Sequence, residues 1–536
     1  MGKIFGNGKT VIRSSYTLKN YIEGTQNFWN FGSNSGYNFN TTYRLTAQTP
    51  NGSTPPVGFY NAGSLILGNP LPPVLSTSAI PYQSVIPESS IAFKGQDILT
   101  FDPHIKQPYV ESWQFGIQRQ LSTNQVIEVR YVGNVGKDGW FAKNYNEVNI
   151  VENGFAAEFK VAQANLAANG GKTFKGPGPT PIMDQAFKTS TSNQYTNATF
   201  ITDLQQGEAG RMAQTLASST TYLCSLVGAN FTPCQTNGIP GSGTYPINFF
   251  EANPYATGAQ ISEMGNYASS NYNALQVEFR QNHTHGMQFD VNYTYSKSLG
   301  IGEQGSTAVG YYGGRSNSAG GFYTLRNPAL NYFPSSFDVR HVMHGSGTYD
   351  LPFGHGRRFL NQNPIANSVA GGWTIGTIVS WQTGEPHLLS GGYQTFNQFD
   401  GGIQLHGITA KDLQDSIRPR LVPGHAFVQM LDPKYIQPNG QGANPQYITP
   451  NTTPGTIGQL VWLHGPHNFN TDLSLTKVVP LFRETNLKLQ GEFFNAFNHV
   501  SWTGPTTTGV TSTTFGTSSS LFAGARQIEL RANFQF

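Results

Sequence analysis

Ten ionisable residues recur at alternate positions of otherwise apolar segments: Glu128 with Arg130, Glu278 with Arg280, Asp290, Asp472, Lys488 with Glu492, and Glu529 with Arg531. In extended backbone, residues two apart share a face. Mixed signs on one face suit ion pairs that tie neighbouring strands together. The competing chemistry is a polar path along which a solute is passed. Both readings leave these side chains on the wet side of a sheet.

The other reactive residues point to little chemistry. Cys224 and Cys234 are the only cysteines, close together in TYLCSLVGANFTPCQ. An even count at short spacing predicts a disulfide in an oxidising compartment, which would close and stiffen a small loop. Two buried free thiols are the alternative. Histidines come in pairs: His283 with His285, His341 with His344, and His464 with His467. A structural metal site usually needs four convergent ligands. His341 and His344 fall on opposite faces of a strand and the other pairs lie in turns or loops, so neither a metal nor any other cofactor is expected. GNGKT at 6–10 is similar to a phosphate loop, but that pattern needs Gly where Lys3 stands, and a strand follows instead of a helix. No nucleophile stands in a recognisable set with a base, so an enzyme is not expected. The Asn-x-Ser/Thr sites at Asn197 and Asn230 are those that chance supplies in this composition.

Alternation and turn signals place ten strands. The first runs from Thr10 to Ile22. Trp113, Phe115 and Ile117, then Ile127, Val129 and Tyr131, form a hairpin about Ser122 to Asn124. Leu275, Val277 and Phe279 precede a turn at His283 to Gly286. Met287, Phe289, Val291, Tyr293 and Tyr295 follow it. A Gly-rich sixth strand spans Val342 to Leu351. The seventh starts at Trp373, with Ile375, Thr377, Val379 and Trp381 on one side. The eighth carries Phe469, Leu473 and Leu475. The ninth carries Leu487, Leu489, Phe493 and Phe497. In the last, Ile528, Leu530, Ala532, Phe534 and Phe536 oppose Gln527, Glu529, Arg531, Asn533 and Gln535.

Composition says what such a sheet faces. Charged residues are 11% of the chain, where soluble domains carry about 25%. Aromatics are 13%, and Gly alone numbers 61. A net charge of +3 gives no reason to expect a nucleic-acid partner. There is no run of about 18 apolar residues, which excludes transmembrane helices. A β-barrel escapes that test, because every second residue is polar. The connections alternate in length: short after strands two, four, six and eight, long elsewhere. The segments 24–108, 137–270, 300–336 and 388–467 are far longer than hairpin loops. Such sorting is the pattern of an outer-membrane barrel, with short periplasmic turns and long extracellular loops. Trp113, Tyr293, Tyr295, Phe497 and Trp502 near the long-loop side, with Trp373, Phe534 and Phe536 near the other, suit aromatic girdles. The expected fold is therefore all-β: a transmembrane, antiparallel, up-and-down β-barrel. DLQQGEAGRMAQTLASS, poor in Gly and Pro, predicts a helix in the longest loop.

A last strand that ends in an aromatic resembles the signal that outer-membrane barrels show to their assembly machinery, here Phe534 and Phe536. ESWQFGIQRQL, VIEVRYVGNVG, NYNALQVEFRQ, FDVNYTYSKS, FDVRHVMHGSGTYDLPFGHGRRF, GGWTIGTIVSWQTGEP, LKLQGEFFNAFNH and ARQIELRANFQF resemble, in order, the barrel of TonB-dependent transporters of the Oar-like group. The resemblance spans about 109 to 536. Such transporters have a barrel of about 22 strands plugged by an N-terminal domain. It implies that ten strands are the C-terminal part of a barrel. The plug, the TonB-contacting segment and a carboxypeptidase-regulatory-like domain would lie elsewhere. MGKIFGNGKTVIRSS does not read as a signal peptide, so the chain is expected to be a fragment of a longer precursor. The resemblance implies a Gram-negative outer-membrane receptor that takes up an extracellular ligand and has membrane lipid, the assembly machinery and the TonB complex as partners. The alternative is a secreted or surface-anchored β-rich binding or adhesion protein without a pore.

Overall fold

The computed structural model describes residues 8–21, 44–45, 59–60, 98–236, 238, 241–254, 261–301, 322–354, 356–360, 364–482 and 485–535. Ten long strands organise them: β1 Thr10–Asn20, β2 Tyr109–Ser122, β3 Gln125–Asn144, β4 Ile261–Thr284, β5 Met287–Ile301, β6 His341–Asp350, β7 Trp373–Gln382, β8 Asn468–Phe482, β9 Thr485–Phe494 and β10 Gln527–Gln535. They pair in chain order, each antiparallel to the next. The topology is up-and-down. Two short segments extend the sheet: Ile98–Phe101 runs parallel to the start of β4, and Phe333–Pro334 pairs with the end of β5. Among the described residues β1 and β10 do not pair, so the sheet is open rather than closed.

Period two fixes which side each residue takes, and the register aligns like with like. One apolar row reads Ile12, Ile117, Val129, Val277, Tyr293, Met343, Trp381 and Phe469 across eight strands. Another joins Thr377, Leu473, Phe493 and Ile528. This face is not a protein core. Tyr16 is 63% exposed, Phe115 50% and Leu530 80%. Apolar rows left open over so many strands form a surface that water does not favour and hydrocarbon does.

The β4–β5 turn is His285–Gly286, with φ of 50° and 79°. Positive φ at both positions matches the two-residue turn whose twist suits a hairpin. The connections after β3, β5, β7 and β9 fall at the other end, because successive strands alternate in direction. Three expectations shift here. β3 runs on to Asn144 and β4 begins at Ile261, inside the span expected to be loop, since their pairing continues through two register shifts after Gly136. The connection after β6, expected to exceed a tight turn but grouped with the short ones, spans 351–372 and carries a helix at Pro364–Ala370. Phe497 lies beyond the end of β9, because the strand stops at Phe494 and Asn495 takes a positive φ of 47°. Phe536 and most of 24–108 lie outside the described residues.

Among the described residues, the connections after β3, β7 and β9 fold. Between β3 and β4 stand α1 Phe155–Ala168, α2 Pro181–Phe187, α3 Ala198–Gln206, α4 Ala209–Ser218, α5 Thr220–Val227 and α6 Thr232–Thr236. Proline at the start of α2 spares a backbone N–H that has no partner there. The Asn197 side chain accepts from Thr199 N at 2.9 Å and caps α3, which ends on Gly207 at φ 73°. Phe155, Phe159, Phe174, Phe200, Met212 and Leu216 bury completely or nearly so among these helices. A second core gathers Leu389, Ile403, Leu413, Leu431, Val510 and Phe515 from the β7–β8 and β9–β10 connections.

Candidate functional site

The polar face of the sheet carries all ten charged residues named above, on six strands. Register places Glu128 opposite Glu278, Arg280 opposite Asp290, and Glu492 opposite Glu529. Across strands, Arg280, Asp290, Ser346, Ile378 and Asp472 form one row. The charges gather into separate groups and not into one centre. Arg130 Nη1 stands 3.8 Å from Glu128, and its Nε donates to Gln276 Oε1 at 3.0 Å. Arg280 pairs with Glu278 on its own strand. Arg531 bridges Glu529 at 2.8 Å and Glu492 at 3.3 Å.

The remaining carboxylates take neutral donors. Asp290 accepts from Asn292 Nδ2 at 3.0 Å and from Ser346 Oγ at 3.3 Å. Asp472 accepts from Asn470 Nδ2 at 3.0 Å and from Asn495 N at 2.8 Å, which anchors the start of the last loop. Among the described residues Lys488 has no ion-pair partner; it lies opposite Asn533. An open hollow of about 630 Å³ lies between these groups, lined by Arg280, Asp290, Asp472 and Glu492 with Ile378 and Phe494. Ile378 is 58% exposed. Its signal in the sequence is an apolar residue in the polar phase of a strand, which the strand pattern alone did not single out. The arrangement can bind a solute that has both polar and apolar parts. Among the described residues, no group of His, Cys, Asp or Glu could hold a metal ion.

Above the long-loop edge the two cored units lock together through polar contacts. Gln398 Oε1 accepts from Val148 N at 2.9 Å and its amide donates to Asn146 O at 3.0 Å. Gly210 N donates to Gln394 O at 2.9 Å, while Glu208 Oε1 accepts from Gln394 N at 3.2 Å. The neighbouring Asp203 is 1% exposed, and among the described residues neither of its carboxylate oxygens accepts a hydrogen bond. Burial pushes its carboxyl up to about 7, although Arg211 stands 3.6 Å away and pulls the other way. Glu158 is raised by burial too, despite accepting from Ile182 N at 2.9 Å and Met183 N at 2.8 Å. Cys224 and Cys234 are joined in a disulfide, with Cα atoms 5.6 Å apart, between α5 and α6.

The other expected residues separate. His341 lies on the apolar face, where Tyr293 Oη is 2.7 Å from its Nδ1, and His344 on the polar one. His464 pairs with Pro386 in the loop unit. Phe534 is on the apolar face, 60% exposed, near the short-turn end of β10.

Residues 3–529 match the model of a family described as an outer membrane beta barrel domain. Solved structures with a similar chain path include the outer membrane transporter YddB from Escherichia coli, at 9% identity and a TM-score of 0.34 over 81% of this chain and 34% of that one. The ferripyoverdine receptor of the outer membrane of Pseudomonas aeruginosa follows at 8%, 0.29, 81% and 28%. The FrpB iron transporter from Neisseria meningitidis gives 8%, 0.28, 81% and 32%. The chain spans about a third of the length of these structures. No curated protein matches it.

Proposed function

This chain belongs to the outer membrane beta barrel family, and from that premise we propose that it is part of a TonB-dependent transporter of the Oar-like kind. It resides in the Gram-negative outer membrane, with its apolar face to lipid. In this reading the cored loop units meet an extracellular ligand, and the polar face forms part of the wall past which the ligand enters. The plug and the TonB contact belong to the rest of the whole protein, and the assembly machinery folds the wall into the membrane. The chain binds and passes; it does not catalyse.

One observation carries the reading. A mixed-charge wall with an amphiphilic hollow lies on the sheet face opposite lipid, and among the described residues the connections at one end fold into cored units. A simple pore has no need of a helical unit of this size, whereas a receptor needs shaped surface outside the cell. The alternative of a secreted or surface-anchored binding protein is disfavoured by Leu530, Tyr16 and Phe534 in open view. A water-soluble sheet would cover them.

The test uses cells that express the intact gene and cells in which it is deleted. Uptake of fluorescent ferric chelates, oligosaccharides and oligopeptides is measured with and without a protonophore. The reading expects at least one of these to enter only when the gene and the proton gradient are both present. Unchanged energy-dependent uptake of every probe, together with lost surface binding, would establish the adhesion alternative instead.

A further inference from the structure

The β9–β10 connection divides its apolar residues between two fates. Val510 and Phe515 enter the loop-unit core. Phe497, Val500, Leu521 and Phe522 enter neither core and remain exposed, Phe497 at 68%. They come from the two ends of the connection, and backbone pairing brings these ends together. Trp502 bridges Leu521, Phe522 N donates to Ser501 O at 2.8 Å, and Thr503 N donates to Ser520 O at 3.1 Å.

This short ladder is fixed to the rim of the sheet. Ser501 Oγ accepts from Phe469 N and donates to Phe469 O, both at 3.2 Å, at the start of β8. Asn495 clamps both arms: its amide donates to His499 O at 3.0 Å and Gly524 O at 2.9 Å, and its carbonyl accepts from His499 N at 2.8 Å. Asn495 and Asn498 hold positive φ, the left-handed region that Asn tolerates best among residues with a side chain. The His499 ring meets Phe469 edge-on at 5.8 Å. Phe469 belongs to the apolar face, in register with Trp381. The ladder therefore stands at the rim, where the His499 ring lies against the apolar face at Phe469 while Asn495 N is held at 2.8 Å by Asp472 from the polar face. Beside it Arg526 is exposed and, among the described residues, has no ion-pair partner; its backbone N–H donates to Asn498 Oδ1 at 3.1 Å and its guanidinium Nη1 to Ala496 O at 3.5 Å, which leaves its other guanidinium N–H groups to face outward.

We propose that residues 496–502 and 520–526 form a rim wedge that seats Phe497, Val500, Leu521 and Phe522 in the outer leaflet and sets Arg526 against the anionic phosphate of a lipid headgroup. Apolar side chains gain by entering the acyl boundary. A basic residue at that depth binds the anionic surface and responds to lipid charge. The inference needs only the membrane placement and not the transport reading.

The test uses the full chain with a single added thiol, since Cys224 and Cys234 are bonded to each other. Bimane is attached at Phe497→Cys, Phe522→Cys, Leu530→Cys on the wall, and Leu421→Cys in the loop unit, where Leu421 is 85% exposed. The protein is folded into phosphatidylcholine vesicles with and without phosphatidylglycerol. Labels at 497 and 522 should be quenched by brominated lipid, like that at 530, and shielded from iodide. Quenching by iodide alone, as expected at 421, would overturn the wedge. Arg526→Glu should remove the extra lipid quenching that phosphatidylglycerol gives at 497, and Arg526→Lys should keep it. If the 530 label stays lipid-quenched in Arg526→Glu while the 497 signal does not change, the headgroup contact is refuted. An iodide-quenched label at 530 would sink the wedge and the wall together.

Discussion

Arg326, which precedes β6, holds Glu147 just beyond β3 at 2.9 Å. Their loops are far apart in sequence. Glu147 is also the acceptor for Leu325 N at 2.7 Å and for the Asn397 amide at 2.9 Å. One nearly buried carboxylate thus ties three connections above the wall. Removing it takes the acceptor from Leu325 N, which is partly buried, and one of two acceptors from the Asn397 amide, which keeps Tyr323 O at 2.7 Å; an unmet buried donor costs about 1–3 kcal/mol, so the loss falls near the lower end. Glu147→Ala should speed hydrogen exchange at residues 146–150, 323–326 and 395–398 while leaving the central strands protected. Arg326→Ala should do less, because the arginine is partly hydrated.

Gly210 is the second residue of α4, where the helical unit meets the other loops. A Cβ there would stand 2.2 Å from the carbonyl oxygen of Asn397. That neighbour is backbone, so the units must separate to accept it. Helix propensity alone favours Ala over Gly by about 1 kcal/mol. Gly210→Ala should nonetheless weaken the docking, with limited proteolysis between Gly207 and Ser219 as the readout. Unchanged cleavage would show that the two units do not depend on this approach.

Asp203 makes the helical unit sensitive to pH. Its carboxyl moves from an ordinary 3.8 up to about 7, with burial the largest cause, Arg211 opposing it and Glu208 adding to it. A raised acid favours the folded state most when protonated. That stability is full below about 4 and is lost as pH rises through about 7. Thermal unfolding of the helical unit should therefore move to lower temperature between pH 5 and 8. Asp203→Asn should flatten the dependence and stabilise the unit at pH 8.

The sheet was legible because its evidence is local. β10 announces itself through Ile528, Leu530, Ala532 and Phe534, and most other long strands have their own run of alternation, though β1 shows it weakly and β6 reads only as a Gly-rich segment. Strand order then follows from chain order. The helix expected in DLQQGEAGRMAQTLASS is real but is two helices, broken at Gly207, whose positive φ ends α3. The cored cap was not legible. Its contacts pair Val148 with Gln398 and Glu147 with Asn397, across stretches with no periodicity to announce them. The rim ladder was hidden for the same reason. Phe497 continues the phase of β9, but Asn495 turns the backbone away just before it.

The disulfide closes a loop between residues ten apart in sequence. A closed loop of that length restricts the unfolded chain by about 3 kcal/mol. Both sulfurs are buried in the helical core beside Leu226 and Phe231. The double variant Cys224→Ala with Cys234→Ala should lower the unfolding midpoint of the helical unit. Reductant should do the same to the native chain and nothing further to the variant. Lipid quenching at the Leu530 position should be unaffected, because the wall does not rest on this core.

The wall itself offers the most direct contrast. Leu530 and Asn533 lie on the same strand, on opposite faces, with Leu530 opposite Gly491 and Asn533 opposite Lys488. Leu530 projects where hydrocarbon would be, near the middle of β10. An arginine there costs about 2–4 kcal/mol if the site lies at the bilayer midplane. A glutamate at 533 meets Lys488 across the strands in a wet setting, where such a pair contributes about 0–1 kcal/mol. Urea unfolding from phospholipid vesicles should show Leu530→Arg strongly destabilised and Asn533→Glu unchanged or slightly stabilised. Equal effects from the two would mean that the faces do not differ in what they touch, and the assignment of lipid to the apolar side would fail with them.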